Sequence, residues 1–488
     1  MARAAKNSKI KVLIVASEVS PYVKSGGLGD VMGSLPLALA QAGVDARVVL
    51  PLYQAIGKDF CEYIASFDVA LGWRHQSASI YSMREASVPT YAVENSFYFG
   101  RDALYGYGDD HERFAFFSKA AIELLNFIDF VPDVIHFNDW QTAIGCIYLR
   151  DVYSRFVFFK KIKTLFTIHN LHYQGLYNRY ELSRLDLNDG YFVTDKLEFF
   201  NKISLMKGGI VYADAVSTVS PTYAHEIQTP AYSHDMDGTL RHFSHKLHGI
   251  INGIDTISFD PHTDSSIHQN FSCNDEIPDI LEKKRINKLE LQRELGLDQR
   301  DAPMFAIISR LVDQKGLGLV SIIMEELLSR GAQLVVLGTG DGRYEHLFKH
   351  YAWREPGQVS ANIFFSDELA RRIYASADMF LMPSMFEPCG LGQIFAMRYG
   401  TIPIVRHTGG LVDTVAHFNA DLGSGNGFVF NDYIASGLMW AVNQALDVYY
   451  NDKESWGCLI KNAMSCDFSW EASAKKYKEL YSKLRRLY

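Results

Sequence analysis

The sequence has few cysteines and no long apolar run. Its six cysteines are scattered, with no CxxC pair and no histidine at zinc spacing, so neither a disulfide framework nor a zinc finger is predicted. No stretch approaches the roughly 20 apolar residues of a membrane-spanning helix. The first apolar run, residues 12–16, stops at Ser17-Glu18, which is too early for the core of a signal peptide. We therefore expect a cytoplasmic protein without a membrane partner.

An excess of positive charge is also lacking. The chain has 48 Lys and Arg against 56 Asp and Glu, a formal net charge of −8. A nucleic-acid surface is therefore not predicted, and any anionic ligand must be bound by a few local cations. Hydrophobic residues make up 48% of the 488 positions, so the chain can bury more than one core. Its length predicts two domains.

Short apolar runs alternate with helical patterns in both halves of the chain, which is typical of α/β folds with doubly wound parallel sheets. The predicted strands are residues 11–16, 47–50, 134–137, 164–168 and 215–219, then 304–308, 333–337, 379–382 and 402–405. The predicted helices are residues 31–42, 111–127, 141–153, 317–328, 368–376, 394–399 and 434–446. Polarity rises between residues 255 and 301, where residues 260–266 resemble a surface connection.

Two loops that follow predicted strands could bind phosphate groups. In the first, Lys24 precedes Gly26 and Gly27, and glycines before a helix allow close approach of the backbone to an anion. The lysine comes before the glycines, so this is not a Walker A loop. In the second, the guanidinium of Arg310 and the ammonium of Lys315 can meet at one diphosphate. A flexible loop and solvated charges are the alternative interpretations.

A third loop, residues 383–393, lies between a predicted strand and a predicted helix. It places a carboxylate, Glu387, a thiol, Cys389, and two glycines where backbone N–H groups point towards an incoming anion. An ordinary strand-to-helix turn capped by one glutamate would have the same composition. The loop by itself therefore leaves both interpretations open.

Polar groups also follow two strands of the first half. His136 to Trp140 ends one strand and His169-Asn170 ends the next, and the carboxyl ends of parallel strands share one sheet edge. A packed, hydrogen-bonded core histidine is the alternative. Asn252 lies in a turn that could equally serve as a hinge.

Two other motifs bear on whether the protein uses NAD or a metal ion. Residues 338–343 fail the GxGxxG pattern because Arg343 occupies the third glycine position, so NAD binding is not supported. Asp235 and Asp237 match a DxD metal clamp, but such a pair arises readily by chance in a chain of this length. Lys24, Arg310 and Lys315 could neutralise a diphosphate without a cation, so neither a metal nor another cofactor is predicted.

Taken together, seven motifs closely resemble those of bacterial glycogen synthases and plant starch synthases, over nearly the whole chain. They are Lys24-Ser25-Gly26-Gly27-Leu28, His169-Asn170, Asn252-Gly253-Ile254-Asp255, Arg310 with Lys315-Gly316, Gly338-Thr339-Gly340-Asp341, Phe386-Glu387-Pro388-Cys389-Gly390-Leu391 and Thr408-Gly409-Gly410-Leu411. The first and the sixth together are specific signatures.

The resemblance implies a GT-B fold, with two Rossmann-like domains facing a cleft. The expected domains are residues 1–250 on the acceptor side and 251–466 on the nucleotide-sugar side. Residues 467–488 are then a terminal helix that packs on the first domain. It also implies metal-independent, retaining transfer of glucose from ADP-glucose to the non-reducing 4-hydroxyl of an α-1,4-glucan such as glycogen.

The resemblance further implies roles for individual residues. The residues expected in catalysis are Arg310, Lys315, Glu387 and His169. Those expected to bind substrate are Glu18, Lys24, Gly26, Gly27, Asp30, Asp139, Asn170, Asn252, Phe365, Cys389, Gly390 and Leu391, with Phe365 placed to stack on adenine. The chain departs from the common family pattern at Met385, Gly392 and His407, and the lack of a hydroxyl at Gly392 removes one potential phosphate contact.

Three alternatives remain beside this interpretation. A related GT-B transferase could use UDP-glucose. A phosphorylase would need a pyridoxal phosphate lysine, for which the sequence gives no cue. A catalytically silent glucan-binding scaffold should have lost Lys24, Arg310, Lys315 or Glu387, and all four are present. Without the resemblance, the residues alone predict neither nucleotide preference nor acceptor length, oligomeric state or regulation.

Overall fold

The computed structural model describes residues 9–487, which form two compact α/β units. The first unit contains residues up to Gly253 and the segment from Trp470 onward, and the second contains Ile254–Ser469. The predicted fold class of doubly wound α/β domains is confirmed. No helix in the described range is both long enough and apolar enough to cross a lipid bilayer.

The first unit is built on a nine-stranded sheet in the order β12-β11-β7-β6-β1-β2-β5-β4-β3. Its strands are β1 Lys11–Val15, β2 Asp45–Pro51, β3 Cys61–Leu71, β4 Arg74–Met83, β5 Thr90–Glu94, β6 Val134–Asn138, β7 Lys163–Ile168, β11 Ala215–Thr218 and β12 Leu247–Gly249, and a small second sheet holds β8 Leu176–Tyr177, β9 Glu198–Phe199 and β10 Lys202–Ser204. The seven strands from β12 to β5 run parallel, whereas β4 and β3 extend the sheet antiparallel. The sequence analysis missed β3 to β5. In β3 only Val69 and Leu71 are buried, so this strand lacks the continuous apolar run of the parallel strands.

Helices cover this sheet in the first unit, and the last helix of the chain belongs to them. They are α1 Gly27–Gln41, α2 Ser96–Phe99, α3 Asp110–Glu123, α4 Asp139–Ile147, α5 Leu205–Tyr212, α6 Pro221–Glu226, α7 Asp237–His242 and α16 Trp470–Arg485. Helix α16 packs against α1, β6 and β7 through an apolar stripe that includes Tyr477 and Tyr481. The predicted return of the terminal helix to the first domain is confirmed.

His136, a candidate in the strand-end cluster, is instead part of this packing. Its ring is fully buried in β6, where Nδ1 lies 2.8 Å from the Tyr481 hydroxyl and Nε2 lies 2.5 Å from Thr167 Oγ1. Burial lowers the pKa of His136 to about 3, so the imidazole stays neutral. The interpretation of His136 as a residue of the functional site is therefore wrong. The histidine instead attaches α16 to the sheet.

The second unit has a six-stranded, fully parallel sheet in the order β15-β14-β13-β16-β17-β18. Its strands are β13 Met304–Ile308, β14 Gln333–Leu337, β15 Val359–Asn362, β16 Met379–Met382, β17 Ile402–Arg406 and β18 Phe428–Phe430. Its helices are α8 Ile277–Leu295, α9 Leu317–Ser329, α10 Gly342–Arg354, α11 Asp367–Ser376, α12 Gly392–Arg398, α13 Gly409–Thr414, α14 Ala435–Asn451 and α15 Lys453–Met464.

Helix α8 lies within the polar stretch of residues 255–301, after the segment 260–266 that resembled a surface connection. Two of its lysines are buried because their ammonium groups find partners inside the unit. Lys284 Nζ donates to the carbonyls of Ala375 and Tyr399, and Lys288 Nζ lies 2.7 Å from Asp378 Oδ2. Burial lowers the pKa of Lys284 to about 7. The sequence analysis predicted no helix here, and the structure shows that the two lysines attach α8 to the core.

Candidate active site

In the second unit, the structure joins two predicted catalytic residues directly. Lys315 lies in the loop after β13 and Glu387 in the loop after β16, and Lys315 Nζ donates to Glu387 Oε2 at 2.6 Å. The Ser384 hydroxyl donates to the same oxygen at 3.0 Å. Both charged side chains are largely buried. A cation and a carboxylate are thus held in fixed positions at the carboxyl edge of a parallel sheet, where open α/β sheets bind ligands.

Backbone contacts hold these two loops together. Met385 N donates to Gln314 O at 2.8 Å, and Gln314 Nε2 donates to Phe386 O at 3.2 Å. Gly316 ends the loop after β13 at φ 73°, and a Cβ there would lie 1.9 Å from the carbonyl oxygen of Pro383. Only glycine allows both this backbone conformation and this close approach.

We expect Gly316→Ala to lower both stability and activity, because the new Cβ must push the two loops apart. Gly296→Ala is a matched control: Gly296 has φ 70° at the end of α8, and a Cβ there meets no atom within 4 Å. The control should lose only about 1–2 kcal/mol of stability, from the strain of a left-handed alanine, and its kcat/KM should be unchanged. Thermal unfolding and steady-state kinetics measure both variants, and equal effects in the two would contradict the loop contact.

The other predicted residues of the second unit lie around the same sheet edge. Cys389 is buried, and Gly390 has φ 73°. Gln393 Nε2 donates to the carbonyls of both residues, which fixes the loop before Leu391 and α12. Arg310 lies exposed in the loop that carries Lys315. Phe365 follows β15 with 74% of its surface exposed, so its ring is accessible for stacking.

In the first unit, the glycine-rich loop between β1 and α1 has contacts that the sequence did not predict. The Gly26 N–H, expected to approach a phosphate, donates to Glu18 Oε2 at 3.3 Å. Lys24 Nζ lies 3.1 Å from Asp30 Oδ1. The structure thus brings Glu18, Lys24, Gly26 and Asp30 together around one loop, with Gly27 beginning α1.

Asp139 and His169-Asn170 also meet, as the shared sheet edge predicted. Asp139 Oδ1 accepts hydrogen bonds from His169 N at 2.7 Å and Asn170 N at 3.4 Å. Burial raises the pKa of Asp139 to about 7 despite these two donors. Burial lowers the pKa of His169 to about 3, so its ring is neutral, with Nε2 3.0 Å from Asn138 Oδ1. A neutral imidazole suits a hydrogen-bonding role better than an ionic one.

The raised pKa of Asp139 gives a pH-dependent prediction. Between its ordinary value of 3.8 and about 7, the folded chain binds more protons than the unfolded chain, so this group lowers stability as pH rises through that range. Asn cannot ionise, still accepts the two N–H bonds and tolerates the left-handed φ of 55°. At ~1.4 kcal/mol per pKa unit, Asp139→Asn should therefore stabilise the protein at pH 8 by up to about 4 kcal/mol and have no effect at pH 3.5.

Asp109→Asn is the matched control, and its effect should have the opposite sign. The Arg101 guanidinium, 2.6 Å from Asp109, holds the pKa of this carboxyl below its usual value. Its stabilisation is present above pH 3.8 and is lost in the variant. Thermal unfolding of both variants between pH 3.5 and 8 measures these effects. A lower melting temperature for Asp139→Asn at pH 8 would contradict the assignment.

Asn252 retains an unused polar atom. The residue is only 5% exposed, and its Oδ1 has no hydrogen-bond partner among residues 9–487. A buried carbonyl oxygen without a partner is costly unless a ligand or water donates to it. This observation agrees with the expected contact between Asn252 and a sugar hydroxyl.

Sequence reasoning missed two residues that the structure adds. Ser384 contacts Glu387, and the Tyr105 hydroxyl donates to Glu18 Oε1 at 2.6 Å. Ser384 lies within the candidate loop of residues 383–393, so its position in the sequence could have indicated a role beside Glu387. Tyr105 lies in an irregular segment 87 residues from Glu18, and no local pattern points to it.

One of the two DxD aspartates has a structural partner. Asp237 begins α7 and lies 2.6 Å from Arg241. Throughout the described part of the chain, no group of three or more His, Cys, Asp or Glu side chains could hold a metal ion.

Comparisons with known proteins agree with this arrangement. A family model described as the starch synthase catalytic domain matches residues 11–242, and one described as glycosyl transferases group 1 matches residues 289–463. A glycogen synthase of Clostridium acetobutylicum is 48% identical over 97% of this chain and 99% of its own. One of Clostridium perfringens is 50% identical over 97% of this chain and 98% of its own.

Solved structures give the same answer. The catalytic domain of starch synthase IV from Arabidopsis thaliana, bound to ADP and acarbose, superposes with a TM-score of 0.90 at 34% identity, covering 98% of this chain and all of that one. A sucrose-phosphate synthase from Thermosynechococcus elongatus, at 18% identity and a TM-score of 0.62, shares the fold over 98% of this chain and 99% of its own. The predicted GT-B fold class is confirmed, and the chain belongs to the glycogen and starch synthase family of glycosyltransferases.

Proposed function

We propose that this protein is a glycogen synthase that transfers glucose from ADP-glucose to the non-reducing 4-hydroxyl of an α-1,4-glucan and releases ADP. Relatives named glycogen synthase, 45–50% identical over 97% of the chain, support the activity. The ADP in the related starch synthase structure supports the nucleotide. The single observation that carries the chemistry is the Lys315–Glu387 pair.

The pair fits the charge changes of glucosyl transfer. Breaking the bond between the anomeric carbon and phosphate leaves extra negative charge on the diphosphate, so a cation beside it stabilises the transition state more than the substrate. One such contact at ~4 Å is on the order of 4 kcal/mol at an effective dielectric of about 20, before desolvation. In our proposal Lys315 and Arg310 supply these contacts, so no metal or other cofactor takes part.

Glu387 has a different task in this proposal. Its carboxylate is fixed by Lys315 and Ser384, so it can hold the hydroxyls of the transferred glucose in one orientation. The leaving phosphate then takes the proton of the acceptor hydroxyl on the same face of the sugar, which retains the anomeric configuration. A glucosylated side chain, trapped with a slow substrate and located by peptide mapping, would contradict this route.

The partners in this proposal are ADP-glucose and an α-glucan, and the site of action is the cytoplasm. Neutral imidazole at His169 and the unpartnered oxygen of Asn252 suit hydroxyl-rich sugars. The exposed ring of Phe365 suits adenine. These assignments follow the family resemblance and the geometry of each unit.

One assay tests the proposed function. Glycogen is incubated separately with ADP-glucose and UDP-glucose, each with and without EDTA, and nucleotide release and chain extension are measured. We expect ADP release matched by chain extension, unaffected by EDTA, and at least 10-fold slower use of UDP-glucose. Preference for UDP-glucose, dependence on metal, or release of free glucose in place of chain extension would contradict the proposal.

A further inference from the structure

Glu18 is a buried carboxylate at the carboxyl end of β1 in the first unit, with only 4% of its surface exposed. The family resemblance places it beside the substrates. Its contacts in the structure are instead with the protein, and they concentrate on the glycine-rich loop that leads into α1.

Four donors occupy the two carboxylate oxygens. Oε2 accepts from Ser25 N at 2.5 Å and Gly26 N at 3.3 Å. Oε1 accepts from Ser25 Oγ at 2.7 Å and the Tyr105 hydroxyl at 2.6 Å. A carboxylate offers about four lone-pair sites, so these bonds use its whole capacity. Glu18 therefore has no acceptor left for a sugar hydroxyl while the loop keeps this shape.

The loop is folded tightly around this carboxylate. A Cβ at Gly29 would lie 2.5 Å from Lys24 Cβ and 3.4 Å from Glu18 Oε2. Ser20 N donates to Gly29 O at 3.0 Å, which closes the loop at its other side. The positions of Lys24 and of the first turn of α1 thus depend on a backbone wrapped around one charged group.

We propose that Glu18 is a positioning residue that acts through Ser25 and Gly26 and does not touch the substrate. Charge-assisted hydrogen bonds to backbone N–H groups are among the stronger hydrogen bonds in proteins. The carboxylate therefore fixes the conformation of the loop before a ligand binds. Lys24 and the start of α1 are then already in place for the donor diphosphate. The nature of that ligand rests on the proposed function, whereas the loop contacts do not.

Glu18→Gln tests the proposal, because the amide keeps one acceptor oxygen but turns an NH2 group towards an N–H or hydroxyl donor. Displacement of reacting groups by about 1 Å can cost about 100-fold in rate. We expect kcat/KM for ADP-glucose to fall about 100-fold and KM for glycogen to stay within about threefold. The melting temperature should change by only a few degrees.

Glu112→Gln is the matched control. Glu112 is a carboxylate of the same unit, 3% exposed, and its donors Arg74 and Tyr98 lie outside the glycine-rich loop. Its variant should lower the melting temperature and leave kcat/KM unchanged. Equal kinetic losses in Glu18→Gln and Glu112→Gln would show a general structural effect and overturn the proposal.

A double-mutant cycle with Ser25→Ala separates positioning from direct contact. If Glu18 acts through Ser25, the double variant Glu18→Gln/Ser25→Ala should be within about twofold of Glu18→Gln alone, since the shared contact is already lost. Multiplicative effects would mean that Glu18 touches the substrate independently, which overturns the proposal.

Amide hydrogen exchange gives a readout that needs no activity. The Ser25 and Gly26 amides should exchange at least about 10-fold faster in Glu18→Gln than in the parent, without ligand. Unchanged exchange would overturn the proposal. Faster exchange in a protein that transfers no glucose would refute the proposed function and leave the loop contact intact.

Discussion

Lys315→Ala is expected to lower kcat/KM for ADP-glucose by about 10³-fold and to weaken ADP binding. The ammonium is the donor to Glu387 and, in our proposal, the cation that meets the departing diphosphate. Removing a donor that stabilises transition-state charge costs about 10²–10³-fold in kcat, and the loss of ground-state binding adds to it. The variant also leaves the Glu387 carboxylate without its cation, so the melting temperature should fall by several degrees.

Lys283→Ala is the control for this experiment. Lys283 lies in the same unit and makes a pair of similar length, 2.7 Å to Asp275, outside the proposed site. Its kinetics should match those of the parent. Steady-state kinetics and calorimetric ADP titration measure both variants, and parental values for Lys315→Ala would show that another group holds the diphosphate.

Glu387→Gln is expected to lower kcat by about 10²–10³-fold while leaving ADP affinity unchanged or increased. The amide no longer neutralises Lys315, so the ammonium is more available to the diphosphate. The rate falls because the transferred glucose loses its charged anchor. Because only Lys315→Ala is expected to weaken ADP binding, the two variants together are more informative than either one.

Glu325→Gln is the control for Glu387→Gln, because Glu325 on α9 accepts from Tyr351 and Arg354 on α10 of the same unit. Its kcat should equal the parental value. Single-turnover kinetics and ADP titration measure these effects. Weaker ADP binding in Glu387→Gln, with kcat retained, would contradict the separate tasks assigned to the two residues.

Sequence patterns predicted most of the parallel strands, because strands such as β1 and β14 are buried on both faces and appear as continuous apolar runs. The antiparallel extension was missed, since β3 is half exposed and its alternation is irregular. Helix α8 was missed because Lys284 and Lys288 look like surface residues until their buried partners are known.

The candidate site shows the same limit. Motif order along the chain placed Lys315 and Glu387 in loops at one sheet edge, and the structure joins them. The burial of His136 under α16 depends on Tyr481, 345 residues away, so no local pattern could separate it from His169. One of the four bonds to Glu18 likewise comes from a distant residue, Tyr105, 87 positions away. Long-range packing decides which polar groups at strand ends are buried in the core and which stay available to a ligand.

A crystal structure with bound ADP tests the central claim most directly. We predict that diphosphate oxygens lie within about 3.5 Å of Lys315 Nζ and of the Arg310 guanidinium, with adenine against Phe365. An ADP molecule bound away from the loops that carry Arg310 and Glu387, with the Lys315–Glu387 contact unchanged, would contradict it.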